Sequence, residues 1–197
     1  MITFFETNYW IGENSIIKEN TCENDESIAI SLKKRKETYN INSTVISHFS
    51  SILYSPRIGN DLIAKIMSKE ISNYNLSGIL TFEIEYFLTP ADFEKHISKR
   101  YSKGFKLLRL SPKTHRYSIG TLNFKRFYEV LNYHKFPIII GLGELDITGN
   151  KNIDWDIISI ISSKFENILI IIDGQDLKLN FLTVISSRSC KTTRISM

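Results

Sequence analysis

Cysteine is scarce in this chain. The two present, Cys22 and Cys190, lie far apart, form no CxxC pair and match no zinc-ligand spacing. That excludes a disulfide-stapled or zinc-organised scaffold and leaves the expectation of a reduced, cytoplasmic protein. No apolar stretch approaches the roughly 20 residues that cross a bilayer. The longest, Ile168 to Ile172, has the length of a buried strand, so no membrane association is expected. The opening Met1-Ile2-Thr3-Phe4-Phe5-Glu6 lacks a basic n-region and meets an acid early, unlike a secretory signal. Basic clustering is also sparse. Net charge is +4, but apart from Lys33-Lys34-Arg35-Lys36, beside Glu37, the cations are spread along the chain. That run reads as a solvated helix face, and no nucleic-acid partner is expected.

What is present is a repeating alternation of short apolar runs and helix-period segments. Gly104 to Leu145 shows it best: Phe105-Lys106-Leu107-Leu108-Arg109-Leu110, a polar loop from Ser111 to Ser118, a helical stretch from about Thr121 to His134, then Phe136-Pro137-Ile138-Ile139-Ile140. Run, crossover helix and run is the pattern of parallel strands buried on both faces. The same reading places strands near residues 2–8, 44–49, 78–83, 105–110, 136–141 and 168–172. Helices are expected over Ser27–Tyr39, from Asn60 or Asp61 onward, from Pro90 to about Tyr101, and from Asp154 onward. Leu177–Ser187 is expected to be helical, and Thr192–Ser196 to be a seventh strand. With 197 residues the chain suits one α/β domain, with a polar insertion at about 13–26. Length and periodicity alone favour a doubly wound open parallel sheet, because a complete (β/α)₈ barrel usually takes about 250 residues.

Several blocks in fixed order nevertheless resemble the amidohydrolase-related metal-dependent hydrolases. They are Phe5-Glu6-Thr7-Asn8-Tyr9-Trp10-Ile11-Gly12, Ser47-His48-Phe49 with Gly59-Asn60-Asp61-Leu62, Gly104-Phe105-Lys106 leading to Leu110-Ser111-Pro112, Phe136 to Ile140, and Asp154-Trp155. The resemblance implies a parallel (β/α) barrel of TIM type, here incomplete at about six to seven units and shortened at its C-terminus. It also implies a metal site, from which this sequence departs. Asn8 and Trp10 stand at the positions of the family's first two histidines, and Ser111-Pro112 replaces its His-Pro. Gly141 to Glu144 and Asp173-Gly174 occupy the ends of the fifth and sixth strands, where further histidines belong. Serine hydroxyl and indole are poor ligands for a catalytic divalent ion. The expectation is therefore no metal and no other cofactor, and a degenerate hydrolase surviving as a binding module or subunit. The alternative is an active hydrolase or lyase, metal-independent or with atypical ligands, acting on a small carboxylate-bearing substrate.

In a parallel α/β fold, ligands gather at the C-terminal ends of the strands. His48 falls there as a candidate acid–base group, or as a histidine bound to a neighbouring loop. Glu83, alternating with Glu85, offers paired carboxylates or a salt bridge. Asp173 offers a third carboxylate, or plain turn chemistry before Gly174. These three are the catalytic candidates. Asn8, Lys113, His115 and Glu144 are the substrate-binding candidates, Lys113 and His115 with Arg116 forming a cationic loop suited to an anion. His96 and His134 fall on helices and read as structural. Gly141-Leu142-Gly143 lacks the third glycine and the helix of a phosphate loop. An incomplete barrel would expose strand edges, so a homo-oligomer or a covering partner is expected alongside a small-molecule ligand.

Overall fold

The computed structural model describes residues 4–12, 25–69, 75–84, 90–120, 122–145, 154–173, 181–186 and 189–196. Positions 13–24 of the expected insertion, together with Glu85 and Gly174, lie outside them. Strand β1 (Phe4–Ile11) is followed by α1 (Asp25–Tyr39), β2 (Ile41–His48), a single turn α2 (Ser50–Leu53), α3 (Pro56–Ser68) and β3 (Asn75–Thr81). Then come α4 (Pro90–Ser102), β4 (Phe105–Leu110), α5 (Leu122–His134), β5 (Ile138–Gly141), a 3₁₀ turn at Leu142–Leu145, α6 (Trp155–Lys164) and β6 (Ile170–Asp173). Strands β7 (Phe181–Ser186) and β8 (Ser189–Ser196) close the order.

The strands are neighbours in chain order from β1 to β8. That order excludes the doubly wound sheet, whose sequence of strands reverses in the middle. Six parallel strands alternating with helices make an incomplete α/β fold of TIM type. The chain divides into two compact units, one of residues 1–83 with 98–106 and one of residues 84–97 with 107–197.

In the first unit, α1 turns its cationic run outward and buries Ile28 and Leu32. Arg35 lies over the Tyr9 ring at 4.4 Å, and the Tyr9 hydroxyl meets Ser31 Oγ at 2.7 Å, so even the basic face is tied to β1. Helix α3 begins at Pro56, several residues earlier than its capping residues suggest. Proline's missing N–H is harmless in the first turn and its fixed φ is already helical. Asn60, read from sequence as a helix cap, therefore falls inside α3 and is fully buried.

In the second unit the runs Ile138–Gly141 and Ile170–Asp173 are buried at every position, as strands covered on both faces must be. An aromatic row of Phe93, Phe127, Phe124, Tyr128 and Phe165, with centroids 4.5 to 5.7 Å apart, packs beneath the helices. Helix α6 starts where Asp154 Oδ1 accepts the Ile157 N–H at 3.1 Å. The helix expected at Leu177–Ser187 is a correction: residues 181–186 form β7, antiparallel to β6, and β8 folds back on β7. Thr183, Val184 and Ile185 are β-branched residues that suit a pleated ladder better than a helix.

Candidate functional site

The C-terminal ends of β1, β2 and β3 carry a polar network within the first unit. Ser47 Oγ donates to Asn8 Oδ1 at 3.2 Å, joining the ends of β1 and β2. The Ser50 backbone N–H donates to His48 Nδ1 at 3.1 Å. An N–H can only donate, so Nδ1 acts as acceptor and the neutral ring carries its proton on Nε2. Burial holds the His48 pKa below its ordinary value, which favours that neutral form. Gly12 lies against the ring. Its φ of +88° is a left-handed value, and a Cβ there would stand 2.4 Å from His48 Cε1.

Behind His48, the Ser51 hydroxyl donates to the His48 carbonyl at 2.7 Å and accepts from Thr81 Oγ1 at 2.9 Å. Gly59 allows α3 this close to α2, since a Cβ on it would meet Ser51 Cβ at 2.3 Å. Asn60 then completes the chain. Its Nδ2 donates to the Thr81 carbonyl and to Glu83 Oε1, both at 2.8 Å, and its Oδ1 accepts the Thr81 N–H at 2.8 Å. Asn60 thus pairs with the backbone at the end of β3 as another strand would, and spends its remaining N–H on the Glu83 carboxylate. Of the sequence-derived candidates, this unit holds Asn8, His48 and Glu83: the His48 carbonyl is linked to Glu83 through Ser51, Thr81 and Asn60, and Asn8 binds Ser47, the chain neighbour of His48.

The second unit holds two further groupings. Register sets Arg109 on β4 beside Ile139, and Gly141 on β5 beside Asp173 on β6. Residues two apart on a strand share a face, so Arg109, Ile139, Gly141 and Asp173 all stand on one side of the sheet. Gly141 has no side chain there, and Arg109 Nη2 crosses β5 to within 3.5 Å of Asp173 Oδ2, both side chains being almost wholly buried. In the sequence Arg109 is hidden inside an apolar run. The signal that could have found it is the lone cation at an otherwise buried strand end.

The other grouping surrounds the loop after β4. The Ser111 N–H donates to the Tyr117 hydroxyl at 2.7 Å, and the Tyr117 ring stacks on Phe124 at 5.8 Å. Burial raises the Tyr117 pKa well above its ordinary value, outweighing the Ser111 hydrogen bond that lowers it, so the phenol stays neutral. Thr114 binds the Glu144 carboxylate twice: its N–H donates to Oε2 at 2.9 Å, and its hydroxyl donates to Oε1. Asp154 N–H donates to the Leu145 carbonyl at 3.1 Å, tying the 3₁₀ turn to the head of α6. These contacts enclose a half-open pocket of about 230 Å³ whose lining includes Lys113, Tyr117, Glu144 and Ile157. Lys113 and Glu144 therefore line one pocket, His115 lies in the same loop without lining it, and Asp173 belongs to the Arg109 grouping.

Among the described residues no group of three or more His, Cys, Asp or Glu side chains could hold a metal ion. The donor chemistry agrees. Asp173 faces a guanidinium, Glu83 Oε1 is taken by an amide N–H, and Asn8 Oδ1 by a hydroxyl. A divalent ion at Asp173 would meet the like charge of Arg109, so the groups present do not fit a catalytic metal.

The fold is the α/β architecture found in amidohydrolase-like enzymes. Three solved structures share it. A probable 2-pyrone-4,6-dicarboxylic acid hydrolase from Acinetobacter baumannii, solved with citric acid bound, is 10% identical with a TM-score of 0.55, over 88% of this chain and 58% of its own. The 5-carboxyvanillate decarboxylase of Sphingomonas paucimobilis is 10% identical with a TM-score of 0.53, over 87% and 67%. A candidate amidohydrolase from Staphylococcus aureus is 15% identical with a TM-score of 0.53, over 85% and 65%. This chain thus spans less than two thirds of the length of the first of these enzymes. No protein-family model matches the sequence, and no curated protein matches it.

Proposed function

We propose that this chain is an amidohydrolase-like protein without metal-dependent hydrolysis, acting as a binding module or subunit for a small carboxylate-bearing molecule. The observation that carries the reading is the Arg109–Asp173 pair. At the end of β6, where the family's pattern has a histidine, this chain has Asp173, and its carboxylate faces the chain's own buried cation. The hydrogen bond from Asn60 to Glu83 Oε1 gives a second strand-end carboxylate a structural partner. His48 fits this reading as a positioning group: to accept a proton at Nδ1 it would have to release the Ser50 N–H. Lys113 and the loop that holds Thr114, His115 and Tyr117 are the proposed ligand-facing segment, with Glu144 fixing its conformation. The solved hydrolase with citric acid in it, and the decarboxylase named for a carboxylated substrate, make small carboxylates the first compounds to test. A protein partner or a second copy would cover the edge strands β1 and β8.

The test is calorimetric titration of citrate, 2-pyrone-4,6-dicarboxylate and aromatic carboxylates, each with and without a chelator. It is run beside assays for ester, amide and lactone hydrolysis and for decarboxylation. Binding that is indifferent to chelator, without turnover, is expected. Turnover that appears on adding zinc or manganese and vanishes with chelator would overturn the proposal.

A further inference from the structure

We infer that the pocket between the loop after β4 and the head of α6 is a site for a small aromatic zwitterion, of the class of the aromatic α-amino acids. This rests on the reading that the chain binds a small carboxylate-bearing molecule. The pocket's size and lining suit such a molecule. The walls are Pro112, the Tyr117 ring, Ile119, Leu145 and Ile157. A dry apolar cavity of about 150 Å³ is enough to take benzene. The 230 Å³ here therefore holds a six-membered ring with a few further atoms, and the open side leaves a polar tail at the rim.

The pocket's charges are of both signs. Three charged side chains line it, beside the neutral Tyr117 phenol: Lys113, Glu144 and Asp154. An aromatic carboxylate alone would match the ammonium and face two acids. An aromatic amine alone would match the acids and face Lys113. A molecule carrying both charged groups on one carbon matches each, its carboxylate toward Lys113 and its ammonium toward Glu144 and Asp154. Glu144 and Asp154 already accept hydrogen bonds from Thr114 and Ile157, yet a carboxylate has about four lone-pair sites and keeps capacity for another donor.

The pocket walls are also preorganised. Tyr117 is fixed by the Ser111 N–H and backed by Phe124, and Ile119 is held through its carbonyl by the Tyr128 hydroxyl at 3.1 Å. Leu145 and Asp154 are joined through their backbones. Walls held by their own contacts need little reordering on binding, which favours a small ligand that has few contacts to offer.

The experiment titrates the intact chain with phenylalanine, 3-phenylpropionate, phenethylamine and citrate, followed by calorimetry and by chemical shifts in the loop at 111–120. Phenylalanine is expected to bind most tightly, with each single-charge analogue weaker by about tenfold, the scale of one lost charge-assisted hydrogen bond. Lys113→Gln, at an exposed position, should weaken phenylalanine and phenylpropionate several-fold and leave phenethylamine unweakened or bound more tightly. Ile157→Trp should fill the pocket and abolish aromatic binding, with folding checked by its melting profile. Phenylpropionate binding as tightly as phenylalanine would overturn the zwitterion assignment while leaving the carboxylate reading intact. Citrate binding unaffected by Ile157→Trp, with no aromatic ligand bound, would do the same. No binding by any member of the panel would overturn both.

Discussion

Removing one side of the Arg109–Asp173 pair gives the sharpest view of what holds the second unit's strand ends together. Asp173→Ala leaves the guanidinium of Arg109, a side chain only 4% exposed, without the carboxylate that sits 3.5 Å away. At an effective dielectric of about 20, two unit charges at that distance attract by roughly 5 kcal/mol before desolvation is counted. Most of that gain is offset by the cost of removing both charges from water, so the pair as a whole adds little net stability. Breaking it is different, because the remaining charge keeps its desolvation cost: removing one partner costs about 3–5 kcal/mol. The long separation places Asp173→Ala near the lower end of that range. The double variant Arg109→Met, Asp173→Leu removes both charges and fills the space, and should recover most of the loss. Urea unfolding followed by circular dichroism on the wild type, both single variants and the double variant closes the thermodynamic cycle. A single-variant cost below about 1 kcal/mol, or a double variant as unstable as the sum of the singles, would refute the reasoning.

Gly12→Ala should destabilise by about 2–5 kcal/mol in chemical denaturation, combining a left-handed backbone and a clash with the His48 ring. It should also shift the His48 ring resonances, and an unperturbed ring would contradict the packing described. Asn60→Leu keeps the volume but strands the Thr81 N–H and carbonyl, so a loss of about 2–5 kcal/mol is expected from the same measurement; a change under about 1 kcal/mol would show that water replaces the amide. The pH dependence follows from His48, whose folded pKa lies below the unfolded value of 6.5. The unfolded chain then binds the proton more readily, so this contribution to stability is intact above 6.5 and is lost as pH falls below it. Unfolding free energy measured between pH 7.5 and pH 5.5 should fall less in His48→Gln than in the wild type; equal slopes would assign the effect elsewhere.

Much of the architecture was legible because buried parallel strands have a plain signature. The Ile138–Ile140 and Ile168–Ile172 runs could hardly be anything else, and Asp154 before an apolar helix announces a cap. Strand order was not legible from periodicity, which favours an open sheet for this length; the blocks beginning at Phe5 and Ser47 pointed to a barrel-type order instead. Local chemistry misled at two places. Asn60 and Asp61 look like caps, yet Pro56 opens the helix and turns Asn60 into a buried bridge. Phe181 to Ser186 has enough apolar residues to pass for a helix, but its backbone pairs with β6 as an antiparallel strand. The site divides along the same line. His48, Glu83 and Asp173 could be placed at strand ends by counting. The partners that define their chemistry (Ser50, Asn60 and Arg109) depend on helix phase and strand register, which no short window of sequence contains.

Elemental analysis of the untagged protein decides whether the proposed metal-free role holds. The chain, purified without chelator and dialysed against zinc, manganese or magnesium, is predicted to retain well under one ion per chain, with ligand titrations unchanged by the treatment. One tightly held ion per chain, lost in Asp173→Ala or His48→Ala, would contradict the account and restore a metal-dependent hydrolase.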